Sequence, residues 1–155
     1  MPNVVISDTS TLILFHKTDE IELLRKVYGK LTTTPEIAKE FANELPDWIS
    51  IRTVKDKKYQ EFLETQVDIG EASAIALSQE MADSLLLLDD LKARKLAFKL
   101  KLKFTGALGV INKAKELGII DRIKPLIDQL LETNFRISTK IIEEILKINN
   151  ESTSV

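Results

Sequence analysis

Short apolar runs alternate along this chain with stretches of helical periodicity, and two of the runs stop directly on an acid. These are Val4-Val5-Ile6-Ser7-Asp8 and Leu85-Leu86-Leu87-Leu88-Asp89. Such alternation is the pattern of an α/β fold built on a parallel sheet. The spacing predicts strands at Val4 to Ile6, Lys30 to Thr33, Trp48 to Val54 (an edge strand), Leu85 to Leu88 (a central one) and Leu102 to Phe104. Between them it predicts helices through Leu12 and Phe15, through Ile21 and Val27, and from Pro35 to about Glu44. Thr34 is a natural N-cap for the last of these, with Pro35 at the first helical position. Further helices are expected around Tyr59 to Leu63, Glu71 to Ala82, Lys92 to Leu100, after Thr105-Gly106, at Ile123 to Leu131 and at Ser138 to Ile148. With 155 residues and no repeat or linker, the expectation is one domain over residues 1–150, and a frayed polar tail over 151–155.

Composition removes most chemistries. The chain has no cysteine and a single histidine, His16. Thiolate catalysis, disulfides, iron–sulfur clusters and multi-histidine metal sites are therefore excluded. His16 lies several residues past the first strand edge and beside Lys17, where a surface or helix-end histidine is the simpler reading. No apolar run approaches the roughly 20 residues that span a bilayer. The opening Met1-Pro2-Asn3-Val4 lacks a basic region followed by an apolar core, so the expectation is a cytoplasmic protein with no membrane partner. Trp48, Phe62, Phe98, Phe104 and Phe135 read as core or interface.

What remains is oxygen and cation chemistry. Ligands of open parallel sheets bind beyond the carboxyl ends of the strands, near a topological switch point. If the first and fourth strands are neighbours, Asp8 and Asp89 face one crevice. Glu71, in the first turn of its helix after Gly70, and Glu40, beside the Ile37/Phe41 apolar stripe, can join them. Four clustered carboxylates need a compensating cation or raised pKa values. Hard oxygen donors without histidine or cysteine select Mg²⁺ or Mn²⁺, and such ions activate water for phosphodiester cleavage. Asp8 and Asp89 would hold metal directly, with Glu40 and Glu71 completing the site or orienting water. Each acid also has a plain structural reading: Asp8 as a cap, Asp89 and Asp90 as turn and N-cap residues, Glu71 as a helix-dipole partner, Glu40 as a solvated helix residue. Thr105 ends a strand in the same region, where it either holds phosphate or water or caps the helix at Gly106.

The net charge of −2 hides an asymmetry. Lys92, Arg94, Lys95, Lys99, Lys101, Lys103, Lys113 and Lys115 fall in one stretch without a single acid. A basic surface of this kind suits a polyanion. Lys92, Arg94 and Lys95 follow the acidic strand by about one helical turn, where cations can neutralise a phosphate backbone.

Taken in order, Val-Val-Ile-Ser-Asp8-Thr9-Ser10, Pro-Glu-Ile-Ala-Lys-Glu40-Phe, Gly70-Glu71-Ala-Ser-Ala-Ile-Ala-Leu and Leu-Leu-Leu-Leu-Asp89-Asp90 resemble the PIN-domain family. The nearest likeness is to its VapC-like branch with a Gly-Glu-Ala helix, continued by Lys-Ala-Arg-Lys-Leu-Ala and Thr105-Gly106-Ala-Leu-Gly. The resemblance runs from about residue 3 to residue 147. It implies a three-layer α/β/α fold with a central parallel sheet and C-terminal helices, and a Mg²⁺- or Mn²⁺-dependent ribonuclease site. It also implies RNA as substrate, a toxin–antitoxin role with a cognate antitoxin protein, and a homodimer. By position, Asp8, Glu40, Glu71 and Asp89 match the family's acidic quartet. Thr9 or Ser10 matches the hydroxyl that supports the first acid. Asp90, directly after Asp89, can serve as an outer ligand acting through water. The wider family generally has aspartate where Glu71 stands, which keeps open a catalytically silent module that binds nucleic acid or protein. An aspartyl phosphotransferase ranks lower, because the position two residues after Asp8 is Ser10 rather than a second aspartate.

Overall fold

The structure, a computed structural model, describes residues 2–152. Five strands form one all-parallel sheet: β1 (Val4–Ser7), β2 (Leu31–Thr33), β3 (Ile49–Ile51), β4 (Ser84–Leu87) and β5 (Phe104–Thr105), in the order β3-β2-β1-β4-β5. Helices cover the sheet and give a three-layer α/β/α arrangement. They are α1 (Thr9–Lys17), α2 (Ile21–Tyr28), α3 (Pro35–Phe41), α4 (Lys57–Leu63), α5 (Ile69–Glu80), α6 (Leu91–Lys99), α7 (Ala107–Glu116), α8 (Lys124–Leu131) and α9 (Thr139–Ile148). One buried apolar cluster runs from Val5 to Leu146. No helix among the described residues is long and apolar enough to cross a membrane.

The elements follow from local chemistry. Val5, Ile6, Leu86 and Leu87 are buried, as strands covered on both faces require. Asp8 caps α1, its Oδ1 accepting from the Thr11 N–H at 2.8 Å. Thr34 caps α3 by accepting from the Ile37 N–H, with Pro35 in the first turn. That helix stops at Phe41, short of Glu44, because Ala42 adopts a left-handed φ of 60° and the Asn43 amide takes the Phe41 carbonyl. The edge strand β3 is shorter than its apolar pattern. Past Arg52, the Lys55 and Asp56 N–H groups donate to Glu80 instead of extending the ladder. Of the aromatics read as core or interface, Phe62 and Phe98 are not core, being 61% and 76% exposed.

The sheet order fixes where a site can form. β1 leads to β2 on one side, and the chain then returns to place β4 on the other. The switch point therefore lies between β1 and β4, which pair from Val4↔Ser84 to Ser7↔Leu87. Asp8 and Asp89 stand just past those strand ends.

The tail is tied down at Glu151, contrary to the frayed end that its polarity suggests; residues 153–155 lie outside the described residues. Glu151 accepts from Lys115 Nζ at 2.7 Å and from the N–H groups of Ile123 and Lys124 at 2.8 and 3.1 Å. It thereby caps α8 from a distance of 27 residues along the chain. Burial pushes its carboxyl pKa up, but these bonds outweigh burial and hold it below the ordinary value. The group's stabilising contribution is fully present above the unfolded carboxylate pKa and is lost as pH falls through the lower folded one. Glu151→Gln is expected to cost roughly 2 kcal/mol and to lower Tm by about 5 °C. Thermal melts should show that deficit at pH 7 and a smaller one near pH 3; an equal Tm at both would disprove the clamp.

Candidate active site

Thr11, in the first turn of α1, joins the two strand-end acids. Its backbone N–H donates to Asp8 Oδ1 and its hydroxyl to Asp89 Oδ2 at 3.3 Å. Asp89 is further held by the Ala107 N–H, at 3.1 Å to Oδ1 and 3.2 Å to Oδ2, at the start of α7. A Cβ at Gly106 would fall on Asp89 Oδ1, so glycine there leaves the carboxylate its room. The Thr11 hydroxyl thus supports Asp89, whereas Asp8, the first acid, is held by the Thr11 backbone N–H. Of the two hydroxyls expected to support Asp8, Thr9 Oγ1 donates to Glu40 Oε1 at 2.9 Å, and Ser10 lines an adjoining cleft.

Asp8 is fully buried, and its second oxygen, Oδ2, has no hydrogen-bond partner. Burial, opposed by the Thr11 bonds and reinforced by Asp89 and Asp90, pushes its pKa up to about 7. Burial followed by the charges of Asp90 and Asp8 raises Glu71 to about 8, although the Asp68 N–H donates to Glu71 Oε1 at 3.3 Å. Asp89 is also raised, again by burial first, against the Ala107 N–H, the Arg94 cation and the Thr11 hydroxyl. Asp8 therefore feels the charges of Asp89 and Asp90, and Glu71 those of Asp90, Asp8 and Asp68, at a single edge of the sheet. Glu40 is exposed at the rim, bound to Thr9 and packed so closely on α5 that a Cβ at Gly70 would fall on its Oε1.

Among the described residues, no three acidic or histidine side chains converge tightly enough to hold an ion as they stand. The orphaned Asp8 Oδ2, together with neighbouring carboxylates whose ionisation is suppressed, fits a divalent cation nonetheless: that charge is what the crevice lacks. All the donors are hard oxygens, the ligand type of Mg²⁺ and Mn²⁺.

A family model described as a PIN domain matches residues 4–151. The chain belongs to the PIN-domain family. PIN domains are generally nucleases, so in coarse terms membership makes this a hydrolase fold that handles nucleic acid. No curated protein and no solved structure matches the chain.

Around this PIN-domain crevice the expected supporting residues divide. Asp90 caps α6, accepting from the Ala93 N–H at 2.9 Å, yet it also borders two hollows at once. One, of about 260 Å³, it shares with Glu64, Asp68, Glu71 and Lys92. The other, of about 440 Å³, it shares with Asp89, Lys17, Phe135 and Arg136. Thr105, expected to hold phosphate or water or to cap the helix at Gly106, makes no side-chain cap there; a Cβ at Gly109 would fall on its hydroxyl, and it lines a hollow with Tyr28 and Leu85. Arg94 is near enough to bias Asp89 and lies over the Phe104 ring at 5.2 Å. Lys95 is exposed further along α6. His16 is exposed and touches Phe41 edge-on at 5.4 Å, with no part in the acid group.

Sequence reasoning missed Thr11, Lys17 and Arg136. The spacing Ser10, Ile13/Leu14, Lys17 on one face of α1 was a usable signal for Lys17. Nothing local marks Arg136, which arrives from the loop before α9.

Proposed function

We propose that this protein is a Mg²⁺- or Mn²⁺-dependent endoribonuclease, the toxin of a toxin–antitoxin pair, acting in the cytoplasm as a homodimer. The observation that carries the nuclease reading is the buried, unpartnered Asp8 Oδ2 at the β1/β4 switch point, beside Asp89, Asp90 and Glu71. Asp8 and Asp89 are the direct ligands in this reading, and Glu40 and Glu71 complete the site or orient water. A divalent ion, when bound, supplies charge for the phosphate oxygens and a water of lowered pKa. Asp89 is pre-oriented by the Ala107 N–H and the Thr11 hydroxyl. Glu71, raised to about 8, exchanges a proton near neutral pH and so suits proton transfer to or from the reacting oxygens. Lys92 and Arg94 border the acids and supply cations for the RNA backbone, with Lys95 further out. The exposed Leu91 and Phe98 on α6 give an apolar surface for a second copy or for the antitoxin.

The test is cleavage of single-stranded RNA by purified protein, with EDTA, Mg²⁺ and Mn²⁺ compared. Cleavage is expected only with the metals. Undiminished cleavage in EDTA would overturn the metal-dependent reading. Host growth arrest on expression, relieved by co-expression of a partner encoded beside the gene, tests the toxin role. A second reading, a silent binding module, is favoured by the absence of a ready-made three-acid ion site among the described residues. Calorimetry separates the two: a silent module shows no Mn²⁺ binding that depends on Asp8.

A further inference from the structure

The cleft of about 440 Å³ has one wall made by Asp89 and Asp90 and others made by Lys17, at the end of α1, and by Phe135 and Arg136, in the loop between α8 and α9. Its volume falls in the range of ligand sites, about 300–1,000 Å³. Lys17 and Arg136 are exposed, and neither forms an ion pair among the described residues. Arg136 is nonetheless set in place: its Nη1 donates to the Thr133 and Phe135 carbonyls at 2.7 and 2.8 Å. That leaves the rest of the guanidinium fork free for an anion. Phe135 is half-buried and borders the same space, as does the apolar side chain of Ile13. Two free cations, an aromatic ring and an apolar floor beside a row of acids are a poor fit for a small metabolite of one character. They are a good fit for a nucleotide, which is anionic at one end and flat and apolar at the other.

We propose that this cleft is a subsite for one unpaired nucleotide flanking the scissile bond, its phosphate held by Lys17 and Arg136 and its base against Phe135. The proposal rests on the nuclease reading and assigns one unpaired nucleotide of the substrate to a place on this chain. In a duplex the base faces are stacked on one another and cannot meet an aromatic side chain. Asp90 borders both this cleft and the hollow holding Glu71 and Lys92, so a strand entering past Arg136 leads across the acids toward α6.

The test measures binding, without turnover, of a fluorescent single-stranded oligoribonucleotide in EDTA. Repulsion from the acids is then common to every protein and cancels in the ratios. Lys17→Ala and Arg136→Ala are each expected to weaken binding about five- to tenfold and to reduce the slope of log K against log salt by about 0.7. Arg136→Lys should keep the slope. Phe135→Leu should weaken binding about tenfold with the slope unchanged, and Lys26→Ala, on α2, should change nothing. A duplex of the same sequence should bind alike to wild type and Phe135→Leu. If wild type binds and cleaves RNA while the cleft variants match it within twofold, the subsite is disproved and the nuclease reading stands. If wild type binds no RNA at all, both fall.

Discussion

Asp8→Asn is expected to lower metal-dependent RNA cleavage by roughly a thousandfold, the scale seen when a preorganised charge-stabilising group is lost from an active site. Asparagine keeps an oxygen that can accept from the Thr11 N–H, so the cap of α1 survives and folding is not the cause of the loss. What disappears is the negative charge behind the unpartnered Oδ2. Thr11→Val makes the complementary measurement. It leaves both acids in place but removes the hydroxyl that orients Asp89, and the expected loss is only about 10- to 100-fold. Single-turnover rates at saturating Mn²⁺ would distinguish the two. Equal rates for wild type and Asp8→Asn would remove Asp8 from the reaction.

The second large effect is on stability, and it has a definite sign. Asp8 and Glu71 have pKa values of about 7 and about 8 in the folded chain, against ordinary values of 3.8 and 4.5. Between those limits the folded state binds more protons than the unfolded one, so stability falls as pH rises from about 4 to about 8. At about 1.4 kcal/mol per pH unit, and discounting half-buried Glu71 for solvent screening, the fall is on the order of 4 kcal/mol. Metal-free protein should therefore lose about 10 °C in Tm between pH 5 and pH 8. Mn²⁺ should restore much of it at pH 8 and little at pH 5, because binding only the folded form stabilises it by mass action. Asp8→Asn should melt higher than wild type at pH 8 in EDTA and respond weakly to Mn²⁺. A Tm independent of both pH and Mn²⁺ across this range would show that Asp8 is not a strained anion. The expected variant is more stable and inactive, the usual exchange where a site stores electrostatic strain.

The fold was legible because its signals are local. Val4 to Ile6 and Leu85 to Leu88 read as buried strands from their runs alone, and Thr34-Pro35 announced its helix. The candidate site was legible only where an acid coincides with an element end, as at Asp8 and Asp89. Thr11 looked like any helical threonine, since its second role depends on β4 lying beside β1, a pairing across 80 residues. Thr105 makes the converse point. It occupies the correct strand end, but its side chain turns toward Gly109, and strand position alone does not say which way a hydroxyl points. Glu151 looked like tail because the partners that bury it, Lys115 and the start of α8, lie about 30 residues earlier.

That long-range pairing also governs how the site comes into being during folding. Loop closure over such a span is entropically expensive and slow relative to helix formation. The first acid emerges early in synthesis, yet its counterpart must be made and docked before the crevice exists. A fragment that ends before β4 holds Asp8 without Asp89 and so lacks the crevice between them. If the proposed nuclease acts inside the cell that makes it, that delay is itself a safeguard.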